Sequence, residues 1–174
     1  MGPDTRRIWL STYPSPVGTL LLGAHDDHLC LCDWANRTLR QRVDRRLERA
    51  FSARLTEGQH PLLAEARAQL DEYFSGQRRD FDLPLRTAGT AFQSDVWATL
   101  AGISYGEVRT YRQLAESLDQ PAAVRAVASA IGANALSIFL PCHRVIGSSG
   151  KLTGYAGGLD AKRRLLALES VSVA

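Results

Sequence analysis

The sequence lacks the features that mark secreted, membrane-spanning and disulfide-bonded proteins. It has three cysteines, a small and odd number that does not suit a disulfide framework. No apolar run reaches the length of a signal peptide or a membrane span. Arg6 stands where a myristoylation signal requires Ser or Thr. We therefore expect a cytoplasmic protein with no membrane partner, in which a thiol can stay free to react.

Lysine is almost absent, although the chain is basic. Only Lys151 and Lys162 among the 21 basic residues are lysines, the net charge is +3 and the isoelectric point is near 9.0. Such a charge permits attraction to phosphates without establishing it. The Ala- and Arg-rich composition suggests a bacterium with GC-rich DNA, and hence the bacterial cytosol or nucleoid as the location.

The length of 174 residues suits one large domain or two small ones. Residues 19–23 and 29–34 are strand-like runs around the turn His25-Asp26-Asp27-His28. Apolar residues recur every four positions from Leu39 to Phe51, and residues 62–74 repeat the helical pattern. The polar segment 76–89 follows, with Pro84 and Gly89. We predict an N-terminal strand and helix domain over residues 1–86.

The pattern after this segment is mostly helical, over residues 92–101, 111–118, 122–131 and 161–168. Residues 102–110 are expected to form a short ribbon around Tyr105-Gly106. Thr110 and Gln113 form a capping box, and Asp119-Gln120-Pro121 breaks the chain before the next helix. We therefore predict an α/β (α+β) fold, with a mostly helical domain over residues 90–174 that contains a helix-turn-helix.

The helix that begins at Ala122 has two unusual faces. One face is core-like and consists of Val124, Val127, Ala128 and Ile131. The other carries small side chains where a solvated helix usually carries charged ones, and Arg125 is its only charge; these small residues are Ala126, Ser129, Ala130 and Ala133. The pattern fits either a helix that is buried on both sides or a recognition helix that lies against a narrow groove, with Arg125 as a probe.

Cys142 follows the apolar run 136–140, which we expect to be a buried strand or extended segment. Free cysteine has a pKa of about 8.5, so a reactive thiol needs a nearby base or cation. His143 is adjacent and can act through a water molecule, and Glu169 is a candidate to orient its imidazole. Simple core packing is the alternative for a lone cysteine.

A glycine-rich stretch surrounds Tyr155 and covers Gly147 to Gly150 and Thr153 to Gly158. Its backbone amides and carbonyls suit the recognition of a flat ligand, whereas an ordinary surface loop would not need the tyrosine.

Two other clusters are given structural interpretations. Cys30 and Cys32 lie two apart, near His25 and His28, but the spacing matches no common structural zinc motif, so small buried side chains are favoured over a metal site. The arginines of the first helix are interpreted as a solvated face rather than a phosphate site; they are Arg40, Arg42, Arg45, Arg46 and Arg49.

The string Leu140-Pro-Cys-His-Arg-Val-Ile146 resembles the active-site motif of the methylated-DNA–protein-cysteine methyltransferases, which repair 6-O-alkylguanine directly. The resemblance extends from about Gly89 to Glu169. It covers Phe92, Val96-Trp97, Tyr111, Arg125-Ala126-Val127, Asn134, the motif itself, Gly154-Tyr155-Ala156-Gly157-Gly158 and Glu169. The Gly-Thr-Leu hairpin after Ser15-Pro16 and the helix with Tyr73-Phe74 resemble the N-terminal domain of the family.

The resemblance implies a role for each matched residue. Cys142 accepts the alkyl group, and His143 and Glu169 activate it through a bound water. Asn134 supports the turn before the active-site segment. Tyr111 rotates the nucleotide out of the duplex and donates a proton to the departing base, while Arg125 fills the space left in the stack.

Further contacts follow from the same resemblance. The DNA contacts expected beside Tyr111 and Arg125 are Arg112, Ala126 and Ser129. Backbone groups at Val145, Tyr155 and Ala156 would read the guanine edge. The family approaches DNA through the minor groove, which agrees with the small-residue face of the helix. Some relatives carry a structural zinc, for which His25 and Cys30 are incomplete ligands, so no metal and no cofactor is expected.

The expected reaction is an irreversible single turnover on duplex DNA with alkylated guanine, with alkylthymine as a further substrate that the sequence leaves open. We expect a monomer and leave cooperative binding open. Three alternatives remain: a lesion-binding protein without transfer activity, a Cys-His hydrolase, and a helix-turn-helix regulator. Cys142 argues against the first, because such relatives lack the reactive cysteine.

Overall fold

The computed structural model describes residues 4–173 and divides between Gly89 and Thr90 into two compact units. Each unit, called here the N-terminal and the C-terminal unit, is described by itself. Within residues 4–173, none of the helices is both long and apolar enough to span a bilayer.

A four-stranded sheet forms the N-terminal unit, with strands β1 (Arg7–Ser15), β2 (Gly18–His25), β3 (His28–Trp34) and β4 (Arg54–Glu57). The strand order is β3-β2-β1-β4; β1 is antiparallel to β2 and parallel to β4, and β2 and β3 form the second antiparallel pair. The predicted hairpin of β2 and β3 is confirmed, and Asp26 occupies its turn with φ 54°. Strands β1 and β4 were not predicted from the sequence.

Two helices complete the N-terminal unit, α1 (Arg40–Phe51) and α2 (Pro61–Phe74), and both were predicted. The side chain of His60 caps α2 by accepting a hydrogen bond from the Leu62 amide, and Pro61 occupies the first turn. The buried face of α2 packs near β1, β2 and β3 and includes Leu63, Leu70 and Tyr73. Burial of these side chains supplies the hydrophobic stabilisation of this unit.

The C-terminal unit is mostly helical, as predicted, with α3 (Ala91–Ala101), α4 (Tyr111–Ser117), α5 (Val124–Gly132) and α6 (Leu159–Leu168). Its strands are two residues long and parallel, β5 (Arg109–Thr110) beside β6 (Val145–Ile146). The predicted ribbon over residues 102–110 is therefore wrong. Residues 102–108 form turns, and the strand that follows finds its partner 36 residues further along the chain.

Helices α4 and α5 form the predicted helix-turn-helix. Thr110 and Gln113 make both bonds of the predicted capping box, at 2.8 and 3.0 Å. Asp119, with φ 57°, reverses the chain before the short 3₁₀ turn Pro121–Ala123.

The two faces of α5 differ partly from the prediction. Val127 and Ile131 are buried as expected, but Ala130 is buried too, and its carbonyl accepts a bond of 2.8 Å from the indole of Trp97. Ala130 therefore belongs to the packing of α5 on α3 and not to the exposed face. Ala126 and Ser129 remain exposed, and Val124 and Ala128 are only half-buried.

Candidate active site

Cys142 begins a short 3₁₀ turn, Cys142–Arg144, directly after Pro141. Cys142 is 5% exposed, and its backbone amide donates to the carbonyl of Leu140 at 2.7 Å. The hydroxyl of Ser137 lies 4.0 Å from the Cys142 sulfur. The thiol thus lies at the edge of the buried interior, in a local turn with a backbone hydrogen bond.

The apolar run before Cys142 is buried, as predicted, but it is a tight turn rather than a strand. The Leu140 amide donates to the Leu136 carbonyl at 2.8 Å, and Ile138 has φ 75°. A β-branched residue in this left-handed region is strained, so its surroundings must hold it there.

Asn134 fixes this turn from inside. Its side-chain NH₂ donates to the carbonyl of Leu140 at 3.0 Å, and its side-chain oxygen accepts from the amide of Leu136 at 2.9 Å. Asn134 is 2% exposed, so both bonds satisfy backbone groups that lie away from bulk solvent. The end of α5 is thereby tied to the segment that carries Cys142.

The imidazole of His143 is fully buried and contacts Glu169, with 2.7 Å between Nε2 and Oε2. An ionised carboxylate only accepts hydrogen bonds, so Nε2 carries the proton and Nδ1 is left as a lone-pair acceptor. Burial lowers the pKa of His143, and the bond to Glu169 opposes that shift in part. The ring is therefore neutral near pH 7 and able to take a proton at Nδ1.

Glu169 also binds Arg144, which the sequence analysis did not identify as a site residue. The guanidinium donates to both carboxylate oxygens, at 2.8 and 3.1 Å, and to the carbonyl of Ile103 at 2.6 Å. The amide of Gly106 donates to Glu169 as well, at 3.1 Å, and Gly106 needs φ 79° to present it. Four donors thus fix the carboxylate and compensate its charge.

Lys162 is a second site residue that the sequence analysis did not identify. It is buried on α6 and donates to the carbonyl of Thr153 at 2.9 Å. Its ammonium lies 5.9 Å from the ring centre of Tyr111 and 6.0 Å from that of Tyr155. Burial lowers the pKa of Lys162 to about 8, and the negative charge of a thiolate at Cys142 opposes this shift. Lys162 and the thiolate therefore stabilise each other's charge.

Tyr111 is the first residue of α4. It follows Thr110, which pairs with Ile146, so the β5–β6 pairing places Tyr111 beside the segment that begins at Cys142. Its hydroxyl accepts a bond of 3.3 Å from Thr153. Burial raises the pKa of Tyr111, with a smaller contribution from the charge of Cys142, so the phenol keeps its proton near pH 7.

The remaining predicted residues fall into two groups. Arg112, Arg125, Ala126 and Ser129 are exposed on the helix-turn-helix and are not part of the buried cluster. Val145 is buried in β6, and Tyr155 and Ala156 are half-buried in the glycine-rich segment before α6.

Cys30 and His25, which the sequence analysis treated as incomplete zinc ligands, each lie beside a backbone carbonyl of the N-terminal unit. Cys30 is fully buried, its thiol lies 3.6 Å from the carbonyl of Gly23, and burial raises its pKa to about 12. His25 Nε2 bonds to the carbonyl of Thr5, and its ring stacks on Phe51. Within residues 4–173 there is no group of three or more residues suited to a metal.

The fold and the site define a class of protein. It is a helix-turn-helix protein in which a buried cysteine is directly followed by a histidine that is hydrogen-bonded to a buried glutamate. Two family models match the chain in succession. The model described as 6-O-methylguanine DNA methyltransferase, ribonuclease-like domain, matches residues 8–87, and the DNA binding domain of the same description matches residues 91–171.

Curated relatives match almost the whole chain. A methylated-DNA–protein-cysteine methyltransferase of Methanosarcina barkeri is 45% identical over 155 residues, which cover 89% of this chain and 92% of the relative. Its namesake in Mycolicibacterium paratuberculosis is 45% identical over 158 residues, which cover 91% and 90% of the two chains.

Among solved structures, the Mycobacterium tuberculosis OGT in complex with DNA superposes with a TM-score of 0.78 at 40% identity, covering 94% of this chain and 92% of that one. The chain therefore belongs to the methylated-DNA–protein-cysteine methyltransferase family. Its C-terminal unit is a DNA-binding domain of that family.

Proposed function

We propose that this protein repairs 6-O-alkylguanine in double-stranded DNA by transferring the alkyl group to its own Cys142. The observation that carries the proposal is the buried pair of His143 and Glu169 next to Cys142, in a chain of this family. A neutral imidazole that Glu169 orients is suited to remove the thiol proton, which Cys142 must lose before it can attack.

The proton path follows from the hydrogen bonds. Glu169 accepts from Nε2 of His143, so Nδ1 is the base that takes the Cys142 proton through a bound water. Arg144 and Gly106 hold Glu169 in place while His143 carries the transient positive charge. Lys162 adds a positive charge that favours the thiolate.

The DNA must present the damaged base outside the stack, because the thiol is buried in the protein. Extrusion of a nucleotide costs a few kcal/mol. We assign this step to Tyr111 and to Arg125, which projects from α5 and fills the vacated space. The exposed small residues Ala126 and Ser129 allow close approach to the minor groove, and Arg112 adds a phosphate contact.

The transfer forms one bond and breaks one. The Cys142 sulfur attacks the alkyl carbon as the bond between that carbon and the guanine oxygen breaks, and the electron pair stays with the base. Tyr111 protonates the departing guanine, which lowers the barrier, and the proton that Cys142 gave to His143 then returns through solvent to the Tyr111 phenolate. Backbone groups at Val145, Tyr155 and Ala156 hold the guanine edge.

The product is a thioether, which has no ready hydrolytic exit. Each molecule therefore acts once. We further propose that it acts as a monomer in the cytosol and without a cofactor. The single turnover separates transfer from hydrolysis by a Cys-His pair, which would turn over many times.

Intact-mass measurement after incubation with an excess of duplex containing 6-O-methylguanine tests the proposal. We expect at most one methyl group per chain, located on Cys142 by peptide mapping, and none in a Cys142→Ser variant that still binds the duplex. A Cys30→Ala variant is the matched control and should accept one methyl group. Transfer by the Cys142→Ser variant, or more than one turnover per molecule, would refute the assignment.

A further inference from the structure

The N-terminal unit contains a cluster of arginines on α1, apart from the active site of the C-terminal unit. Arg42, Arg45, Arg46 and Arg49 follow the spacing i, i+3, i+4, i+7 and therefore share one face of the helix. They line a groove of about 760 Å³, and the other lining residues are Thr38, the exposed Leu39, Gln41, Ala50, Ala88 and Gly89. All the lining residues belong to this unit.

The structure divides the arginines of this region into two groups. Arg37 and Arg40 are engaged with carboxylates: both bind the fully buried Asp33, at 3.0 and 2.7 Å, and Arg40 also binds Asp44 at 2.6 Å. These two therefore neutralise acids of the unit itself and are not available to a ligand.

The groove arginines differ from that pair. In the described part of the chain, Arg42, Arg45 and Arg49 make no side-chain hydrogen bond or ion pair, and all three are exposed. Arg46 is half-buried among them; burial and the charges of Arg37, Arg40 and Arg42 lower its pKa, and the charge of Asp33 opposes this shift. The positive charges therefore repel one another within a concave surface.

A solvated helix face usually alternates charges of opposite sign at positions i and i+4. Here the pairs Arg42/Arg46 and Arg45/Arg49 place like charges at that spacing, and α1 has no acidic residue in its first turn. Repulsion between these like charges destabilises the helix, and an anion bound in the groove would reduce the repulsion. Arg42, Arg45 and Arg49 are exposed, as expected of a solvated face, but that prediction does not explain why like charges line a groove.

We propose that this groove binds phosphate groups, supplied by the backbone of a nucleic acid. Guanidinium groups bind phosphate oxygens in pairs of parallel hydrogen bonds, and arginine is the preferred residue for this geometry. From Arg42 to Arg49 the face is about 10 Å long at 1.5 Å per residue. Duplex DNA presents one charge per about 1.7 Å of its axis, so a face of this length meets several phosphates.

The experiment compares two triple variants of the full-length protein with equal loss of charge. The groove variant is Arg42→Gln, Arg45→Gln, Arg49→Gln; the control is Arg6→Gln, Arg54→Gln, Arg79→Gln, three exposed residues of the same unit outside the groove. Binding to an undamaged duplex is measured by fluorescence anisotropy over a series of salt concentrations.

We expect the groove variant to lower the slope of log K against log salt by about 2 to 3, at about 0.9 per lost phosphate contact, and the control by less than about 1. A second arm measures the thermal midpoint with inorganic tripolyphosphate, which should stabilise the wild type and the control more than the groove variant. If only this second difference is found, the phosphate site stands and its source is a free polyphosphate.

Equal slopes and equal midpoints for the two triple variants would overturn the proposal. The groove variant should still accept one methyl group on Cys142 from a saturating alkylated duplex at low salt. Failure of the groove proposal is thereby distinguished from failure of the proposed transfer reaction, because the two are read from different measurements.

Discussion

At the residue scale, Glu169 is the point on which the site depends, since it accepts hydrogen bonds from His143, Arg144 and Gly106. A glutamine at this position keeps the shape but loses the charge, and its NH₂ group must face a donor. We expect Glu169→Gln to slow transfer at pH 7 by about 10²- to 10⁴-fold, the range of general-base assistance. Because the variant leaves Arg144 as a buried charge without its carboxylate, it should also lose about 3–5 kcal/mol of stability.

The pH profile of the single-turnover rate separates these two effects. The need for a base falls as the pH approaches the pKa of a free thiol, about 8.5. The ratio of the wild-type transfer rate to that of Glu169→Gln should therefore fall between pH 7 and pH 9.5. A ratio that stays constant with pH would mean that Glu169 is structural only.

Lys162 gives a second prediction at this scale, because its pKa of about 8 lies inside the working range. The wild-type rate should rise with pH as thiolate forms and level off above pH 8, where the ammonium that stabilises the thiolate is lost. Lys162→Arg keeps its charge and should continue to rise. Lys162→Met should be slower than the wild type at pH 7. Parallel profiles for all three proteins, measured from pH 6 to 10, would exclude this role.

At the scale of elements, the turn between α5 and Cys142 depends on Asn134 rather than on regular hydrogen bonding. Asn134→Ala leaves the buried Leu136 amide without its partner and removes one of the two donors to the Leu140 carbonyl, which keeps the bond from the Cys142 amide. Each unsatisfied group costs about 1–3 kcal/mol. We expect a fall in unfolding free energy in that range or above, measured with urea, together with slower transfer because Cys142 is displaced.

Asn36→Ala is the matched control for that variant. Asn36 is exposed, so its loss should change stability by less than about 0.5 kcal/mol and leave the transfer rate unchanged. Equal stability of Asn134→Ala and Asn36→Ala would show that the turn does not need its internal hydrogen bonds.

Elements that local signals specify were predictable, and those that depend on distant partners were not. The capping box of Thr110 and Gln113 is a local signal, and α4 begins where it indicates. Strand β4 has only four residues and is defined by its pairing with β1, so periodicity could not reveal it. The turn at residues 136–140 escaped prediction because an apolar run says that a segment is buried, but not which backbone conformation it adopts.

The same distinction applies to the site. Cys142 and His143 were predicted from the motif, and Glu169 was a candidate partner that the family resemblance also implied; the structure brings His143 and Glu169 together. Arg144 is part of the motif but looks like an ordinary surface cation until its burial is known. Lys162 did leave a signal: it is one of two lysines in the chain and lies at a helical position between apolar residues of α6, Ala161 and Leu165. Such a position predicts a buried charge.

At the scale of the whole molecule, the buried imidazole links the reaction to stability. The pKa of His143 is lower in the folded protein than the value of about 6.5 expected in the unfolded chain. Below pH 6.5 the unfolded chain therefore binds a proton that the folded protein does not. Protonation favours unfolding there, so the contribution of His143 to stability is complete above about pH 6.5 and declines as the pH falls.

A comparison of the wild type with His143→Gln isolates this contribution, because glutamine can still donate to Glu169 but does not titrate. Urea unfolding from pH 5 to pH 8 should show the wild type losing up to about 1.4 kcal/mol per pH unit below pH 6.5 relative to the variant. The two proteins should have parallel stabilities above pH 7. If their stabilities stayed parallel down to pH 5, His143 would have an ordinary pKa in the folded protein and would be partly charged at the pH where the proposed proton transfer needs it neutral.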